Sequence, residues 1–166
     1  MIESKTVEEI LNYLCNDLGG EWLLTGGSLV RLKFDAQRGT EDMDLVGITH
    51  PALSDTAARN ELYRWLIGRG LGPEWVNTAV EPFVREVPQW ESETVEIQRG
   101  PKGRIVRPTL TLFVFLKLRR GTDVDLEDIR KAVVHCPEKF DETKFLLWAD
   151  ARLQIKFRAF RSMLAI

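Results

Sequence analysis

The chain has 166 residues, enough for one domain with a substantial core and too few for two, so we predict a single domain over residues 1–166. Hydrophobic residues make up 44% and charged residues 29%, which excludes a disordered chain. A formal charge of −2 excludes a global attraction to nucleic acid. No apolar run has membrane-spanning length and the acidic start "MIESKTVEEI" is unlike a signal peptide, so we expect a cytoplasmic protein without membrane contact.

The first fifty residues contain two predicted helices and two predicted strands. "TVEEILNYLCNDLGG" has helical apolar spacing, with a capping box formed by Thr6 and Glu9 at its start and a glycine pair at its end. "EWLLT" indicates a short buried strand and "LVRLKF" a short helix. "DMDLVGI" alternates charged and apolar residues, which predicts a strand with one face inward.

Helices and strands continue to the end of the chain. "SDTAARNELYRWLIGRG" predicts a helix, and two or three strands are expected between Leu71 and Pro108, with a hairpin of "ETVEIQR" and "GRIVRPT" across "GPKG". "LTLFVFLKLRRG" fits a buried strand or a buried helix equally well. "DVDLEDIRKAVVHC" predicts one helix and "DETKFLLWADARLQIKFRAFRSML" a single last helix. These elements indicate an α/β fold, a mixed sheet flanked by helices, with its core at about 20–130 and C-terminal helices in 125–166.

Two aspartates, Asp42 and Asp44, are the main candidates for chemistry. At positions i and i+2 of a strand they leave the same face with Cα atoms ~6.5 Å apart, and they repel each other unless a cation lies between them. Their oxygen ligands suit Mg²⁺. An exposed acidic edge strand is the alternative, but the apolar run that follows favours a central strand. A calcium-binding loop that starts at Asp42 is excluded, because its twelfth position would be Leu53 where a glutamate is needed. A glycosidase pair is disfavoured, because its two carboxylates must flank a sugar from opposite sides.

A glycine turn precedes this pair. Gly26 and Gly27, followed by Ser28, would leave backbone N–H groups free at the start of a helix, where the helix dipole also favours an anion. Glycines allow a phosphate to approach the backbone, and the serine hydroxyl adds a donor. An ordinary tight turn is the alternative, and it is favoured only if the aspartate pair is ignored.

The ordered pair of motifs, Gly26-Gly27-Ser28 and then Asp42-Met43-Asp44, resembles the nucleotidyltransferase superfamily, which has the polymerase-β-like fold. The segment "RGTEDMDL" is most similar to small bacterial nucleotidyltransferase-like proteins, several of which belong to toxin–antitoxin or abortive-infection systems. "KLRRGTDVDLEDI", residues 117–129, resembles a later lysine and acidic helix of that group.

The resemblance implies metal-dependent transfer of a nucleoside monophosphate from a nucleoside triphosphate to a hydroxyl acceptor on RNA such as tRNA, on a protein or on a small molecule. Two Mg²⁺ ions, or Mn²⁺ in their place, would be held by Asp42, Asp44 and a third carboxylate. Glu96 in "VEI" has the strand context expected of this third carboxylate, with Glu93 and Glu86 as alternatives.

The resemblance also implies a set of phosphate-binding residues: Gly26, Gly27, Ser28, Arg38, Thr40 and Lys117. Two other interpretations stay open. The chain is a catalytically inactive binding or regulatory module, such as an antitoxin with a protein partner from a toxin–antitoxin pair, or it is one half of a complex and silent alone. Lys117 is as well explained by an ordinary helix-surface lysine, and Asp125 and Asp128 by capping and solvation of their helix.

Overall fold

A five-stranded mixed sheet forms the centre of the computed structural model, which describes residues 2–164. The strands are β1 (Gly20–Thr25), β2 (Met43–Thr49), β3 (Val76–Asn77), β4 (Thr94–Arg99) and β5 (Gly103–Pro108). Their order across the sheet is β3-β2-β1-β5-β4, with β1 antiparallel to β2 and parallel to β5. The predicted hairpin is confirmed, since β4 and β5 pair antiparallel across the short glycine-containing turn.

Eight α-helices are described, and they flank this sheet. They are α1 (Ser4–Tyr13), α2 (Gly26–Lys33), α3 (Asp55–Gly68), α4 (Glu81–Arg85), α5 (Leu110–Arg120), α6 (Asp123–His135), α7 (Glu142–Trp148) and α8 (Ala151–Phe160). A π-helical turn, Leu14–Leu18, extends α1. Over residues 2–164, no helix combines the length and apolar character that a membrane crossing requires. The α/β class and the mixed sheet agree with the sequence-based prediction.

The ambiguous apolar run "LTLFVFLKLRRG" is the central helix α5. The Thr109 hydroxyl caps its start by accepting a hydrogen bond from the Leu112 N–H, and Gly121, at φ 65°, ends it. Helices α6, α7 and α8 all pack against α5. A helix surrounded in this way buries residues on every side, which explains why the sequence showed no polar face.

Two predicted helix ends are wrong. Helix α1 begins at Ser4, so Thr6 lies inside its first turn and forms no capping box with Glu9. The predicted last helix is two helices, because the Asp150 carboxylate accepts a hydrogen bond from the Leu153 N–H at 2.7 Å and starts α8. The apolar spacing runs through this break from Phe145 to Phe157, so periodicity alone concealed it.

Candidate functional site

The Gly26-Gly27 turn lies directly against the Asp44 carboxylate. Strand β1 passes into α2 without an intervening residue, and its last residue, Thr25, is paired with Asp44 on β2. Gly26 has φ +69°, and a Cβ added there would lie 1.7 Å from Asp44 Oδ2. Only glycine allows the backbone to approach the carboxylate this closely. Strands β1 and β2 are neighbours in the sheet. This is the arrangement that brings the glycine turn and Asp44 to the same cleft.

Asp42 lies one residue before β2 and is held through its backbone. Its carbonyl oxygen accepts hydrogen bonds from the Ser28 hydroxyl at 2.7 Å and the Thr40 hydroxyl at 3.0 Å. Both hydroxyl-bearing residues are buried, and Thr40 also packs on Gly27, where an added Cβ would lie 2.8 Å from its hydroxyl. Ser28 and Thr40, predicted as phosphate ligands, thus hold the loop that carries Asp42 and place their hydroxyls away from the cleft.

The charge on Asp44 is energetically unfavourable in the folded chain. Burial, followed by repulsion from Asp42, raises the pKa of Asp44 from 3.8 to about 6, although the positive charges of Lys117 and Arg120 act in the opposite direction. The neighbouring Met43 and Leu45 are buried on the opposite face of the strand, as predicted. A cation bound beside Asp42 and Asp44 would relieve their repulsion.

A buried ionic network joins α5 and α6 close to this aspartate pair. The Lys117 ammonium group lies 2.7 Å from Asp128 and 3.3 Å from Asp125. Arg120 donates two hydrogen bonds to the Asp125 carboxylate, at 2.6 and 2.7 Å, and Arg38 donates to Asp128 at 2.8 Å. The network therefore ties α5 to α6 and ties both helices to the loop that leads to Asp42.

Asp125 caps α6, whereas Asp128 pairs with Lys117 and Arg38, and neither carboxylate is solvated. Thr122 and Asp125 form a reciprocal capping box, while the exposed fractions of Asp125 and Asp128 are only 0% and 1%. Burial would raise the pKa of Asp125, but hydrogen bonds from Arg120 and Thr122 and the charge of Lys117 outweigh it and hold that pKa well below its usual range. Lys117 is likewise buried rather than a surface lysine.

A signal for these buried charges is present in the sequence. Positions 125, 128, 129 and 132 follow the i, i+3, i+4, i+7 spacing of one helix face, and the last two carry the buried residues Ile129 and Ala132. Carboxylates at core positions of a helix need cationic partners, because an unpaired buried charge is too costly. Lys117 and Arg120 in the preceding helix supply that charge.

Glu96, predicted as the third carboxylate, is not brought to the aspartate pair. It lies on β4, and β1 and β5 separate that strand from β2, which places it roughly 14 Å away at the usual spacing of strands. Its carboxylate is hydrogen-bonded to Arg99, whose guanidinium donates at 2.9 Å through Nε, and hydrogen bonds from this arginine hold its pKa below the usual value.

The two alternative glutamates are also engaged elsewhere. Glu93 is buried and accepts hydrogen bonds from Thr109 at 3.0 Å and Lys144 at 2.6 Å. Glu86 pairs with Arg119 at 2.6 Å. In the part of the chain that the structure describes, residues 2–164, there is no group of three or more side chains suited to hold a metal ion.

An open cleft of about 460 Å³ leads to Asp44. Its wall combines charged side chains with apolar ones. Its lining residues are Thr25, Gly26, Asp44, Asn77, Ala79, Val80, Phe83, Leu116, Lys117, Arg119, Arg120 and Asp125.

No protein-family model, curated protein or solved structure matches this chain. The structural features that bear on its function are the aspartate pair and the glycine turn that touches Asp44.

The donors around Asp44 fit one divalent cation class better than others. Mg²⁺ is commonly held by one or two carboxylates while water and substrate phosphates complete its coordination. Ca²⁺ needs more protein oxygens, and Zn²⁺ prefers histidine and cysteine. Asp42 and Asp44 next to a helix N-terminus therefore fit Mg²⁺ that is shared with a phosphate ligand.

Proposed function

We propose that the chain is a Mg²⁺-dependent nucleotidyltransferase with the polymerase-β-like fold, moving a nucleoside monophosphate from a nucleoside triphosphate to a hydroxyl acceptor. The observation that carries this proposal is the contact of the Gly26-Gly27 turn with Asp44. In the reaction, the acceptor oxygen bonds to the α-phosphorus while the bond from that phosphorus to the β-bridging oxygen breaks. Pyrophosphate leaves, and the acceptor proton passes to solvent.

Asp42 and Asp44 would hold Mg²⁺, which when bound neutralises phosphate charge and makes an acceptor hydroxyl easier to deprotonate. The backbone N–H groups of Gly26 and Gly27 open α2 and offer hydrogen bonds to phosphate oxygens. Ser28 and Thr40 are positioning residues, because they act on the Asp42 carbonyl. Lys117 and Arg120 provide positive charge on the cleft wall.

Labelled nucleotides test this proposal. The purified protein is incubated with Mg²⁺, each of the four α-³²P nucleoside triphosphates in turn, and a cell extract that supplies RNA and protein. We expect label on one macromolecule with the unmodified protein and with Asp17→Asn, which changes an exposed aspartate outside the cleft. Asp44→Asn should remove the label. Absence of label with all four nucleotides, from protein shown to be folded, would contradict the transferase proposal.

A second candidate is a nucleotide-binding or protein-binding module without turnover, such as an antitoxin. It is favoured by the position of Glu96 at the far edge of the sheet and by the pairing of Lys117 and Arg120 with buried aspartates. This candidate predicts that nucleoside triphosphate with Mg²⁺ raises the melting temperature by mass action while no label is transferred.

A further inference from the structure

The cleft at Asp44 also has apolar side chains in its wall, which the phosphate chemistry does not use. Val80, Phe83 and Leu116 line it, and all three side chains are at least partly accessible. Phe83, on α4, is 43% exposed although it is a large aromatic residue. Exposed apolar surface that continues a polar site is typical of a ligand-binding wall.

The ring of Phe83 packs on Arg119, which also lines the cleft. The Arg119 guanidinium carbon lies 4.8 Å from the Phe83 ring centroid and 5.5 Å from that of Phe115. Arg119 is itself paired with Glu86 at 2.6 Å. These contacts hold the ring in place, and 43% of Phe83 remains exposed for contact with a second planar group.

Asn77 adds an uncharged polar side chain to the cleft wall. It pairs with Asp44 across β2 and β3. Its side-chain oxygen accepts a hydrogen bond from the Ala79 N–H at 2.9 Å. Since a backbone N–H can only donate, this contact assigns the amide oxygen and leaves the amide nitrogen, with its two donors, for a ligand.

We propose that Val80, Phe83 and Leu116 form a base shelf on which the nucleobase of the substrate stacks, with the Asn77 amide donating to the ribose or base. The ligand class is thus a nucleoside triphosphate rather than an inorganic polyphosphate. This inference rests on the proposed function for the phosphate end of the cleft. It adds the residues that recognise the other end of the same ligand.

The size and the mixed lining of the cleft both fit this ligand. Its volume of about 460 Å³ lies within the range of roughly 300–1,000 Å³ that small-molecule sites occupy. A nucleotide has one highly charged end and one planar, less polar end, and the wall offers both charged and apolar side chains. Stacking of a base on an aromatic ring is sequence-tolerant and strengthens binding by about 10- to 100-fold.

Ligand binding to the unmodified protein and to its variants tests the shelf. Titration calorimetry with Mg²⁺ compares the nucleoside triphosphates with inorganic tripolyphosphate, which carries the phosphates without a base. We expect Phe83→Ala to lower the affinity for the best-bound nucleotide by about 10- to 100-fold and to leave the affinity for tripolyphosphate unchanged. Phe83→Trp should restore nucleotide binding. Ile67→Ala, which truncates a 61% exposed side chain on α3, serves as the matched control and should change neither affinity.

Asp44→Asn separates failure of the shelf from failure of the proposed function. It should lower the affinity for nucleotide and for tripolyphosphate alike, because it removes a carboxylate that would hold the metal ion which both ligands need. Equal affinity of the unmodified protein for nucleotide and tripolyphosphate would overturn the shelf and leave the phosphate site standing. An equal loss of affinity for both ligands in Phe83→Ala would also overturn the shelf. So would a Phe83→Trp variant that binds nucleotide as weakly as Phe83→Ala does. Binding of neither ligand to the unmodified protein would overturn both proposals.

Discussion

Asp44 carries a charge that the folded chain disfavours, and its protonation is therefore linked to stability. Its pKa rises from 3.8 to about 6 on folding, mainly through burial and secondarily through Asp42. Between these values the folded state binds more protons than the unfolded state, so stability falls as pH rises through about 4 to 6. The full pKa shift is equivalent to about 3 kcal/mol of unfolding free energy. We expect a loss of about 1–2 kcal/mol, because the Asp44 side chain is partly accessible to solvent.

Asp44→Asn should therefore stabilise the ligand-free protein at neutral pH. We expect its free energy of unfolding at pH 7.5 to exceed that of the unmodified protein by about 1–2 kcal/mol, and the difference to shrink as the pH approaches 4. Urea unfolding across this pH range measures both quantities. Asp17→Asn, at an exposed site, should show no such trend. A difference that is independent of pH would contradict the assigned pKa.

Gly26 should tolerate no side chain, and the chain offers a matched control. Gly26 and Gly70 have similar left-handed backbones, at φ +69° and +73°, but a Cβ at Gly70 would meet nothing within 4 Å. Gly70→Ala should cost about 1–2 kcal/mol for its backbone alone. Gly26→Ala should cost at least about 2 kcal/mol more and should displace Asp44. Urea unfolding measures the costs, and equal values for the two variants would contradict the close contact.

At the scale of single residues, the sequence marked the two motifs but did not show how each side chain is used. The contact of Gly26 with Asp44 requires β1 and β2 to be neighbours in the sheet, which the motifs alone do not determine. Ser28 and Thr40 share one acceptor, the Asp42 carbonyl, only because the loop between α2 and β2 folds back over the turn. The path of an irregular loop leaves no periodic signal in a sequence.

At the scale of elements, the network around Asp128 joins three segments that share no continuous backbone hydrogen bonding. Lys117 belongs to α5, Asp128 to α6 and Arg38 to the loop before β2. Hydrogen bonding to Asp128 is the main reason that the pKa of Arg38 lies above its ordinary value. Removal of one buried partner would leave the other charges uncompensated.

Asp128→Ala should consequently be strongly destabilising. We expect a loss of about 3 kcal/mol or more, because Lys117 and Arg38 lose a partner that is 1% exposed. Glu127→Ala is the matched control, since this adjacent residue forms exposed pairs with Arg130 and Lys131 on the same helix. Its expected cost is within about 0.5 kcal/mol. Similar costs for the two variants, measured by urea unfolding, would contradict the network.

Helices and strands could be predicted where the apolar period was clear, and the errors lie at helix boundaries, which the apolar period does not define. The break between α7 and α8 depends on one hydrogen bond at Asp150, while Phe145 and Phe157 on either side keep the same spacing. The run that became α5 had no period because it is buried all round. Its identity depended on Thr109 and Gly121 at its ends.

At the scale of the whole molecule, strand order decides which carboxylates can meet. The mixed α/β character could be predicted from element alternation, but the order β3-β2-β1-β5-β4 depends on contacts between distant segments. That order brings Asn77 next to Asp44 and leaves Glu96 at the opposite edge. The sequence alone carries no signal of this pairing, since "VEI" fits equally well on a central strand or an edge strand.

The linkage between the aspartate pair and folding should reverse when ligand binds. Without ligand, stability falls between about pH 4 and 6 because ionised Asp44 is disfavoured. Mg²⁺ with an α,β-methylene nucleoside triphosphate, which cannot be cleaved at the α-phosphorus, would favour the ionised form and lower that pKa. Binding only to the folded state adds about 2.7 kcal/mol at a ligand concentration one hundred times Kd.

We therefore expect the melting temperature with this ligand to rise from pH 4.5 to pH 7, in contrast to the ligand-free protein. Differential scanning calorimetry at several pH values measures both curves. Asp44→Asn separates the site from general effects of Mg²⁺, because it should lose both the ligand-free decline and the ligand-induced rise. Parallel curves of melting temperature against pH, with and without ligand, would show that the metal does not bind at Asp44. A ligand whose affinity does not depend on the ionisation of Asp44 cannot change the pH dependence of stability.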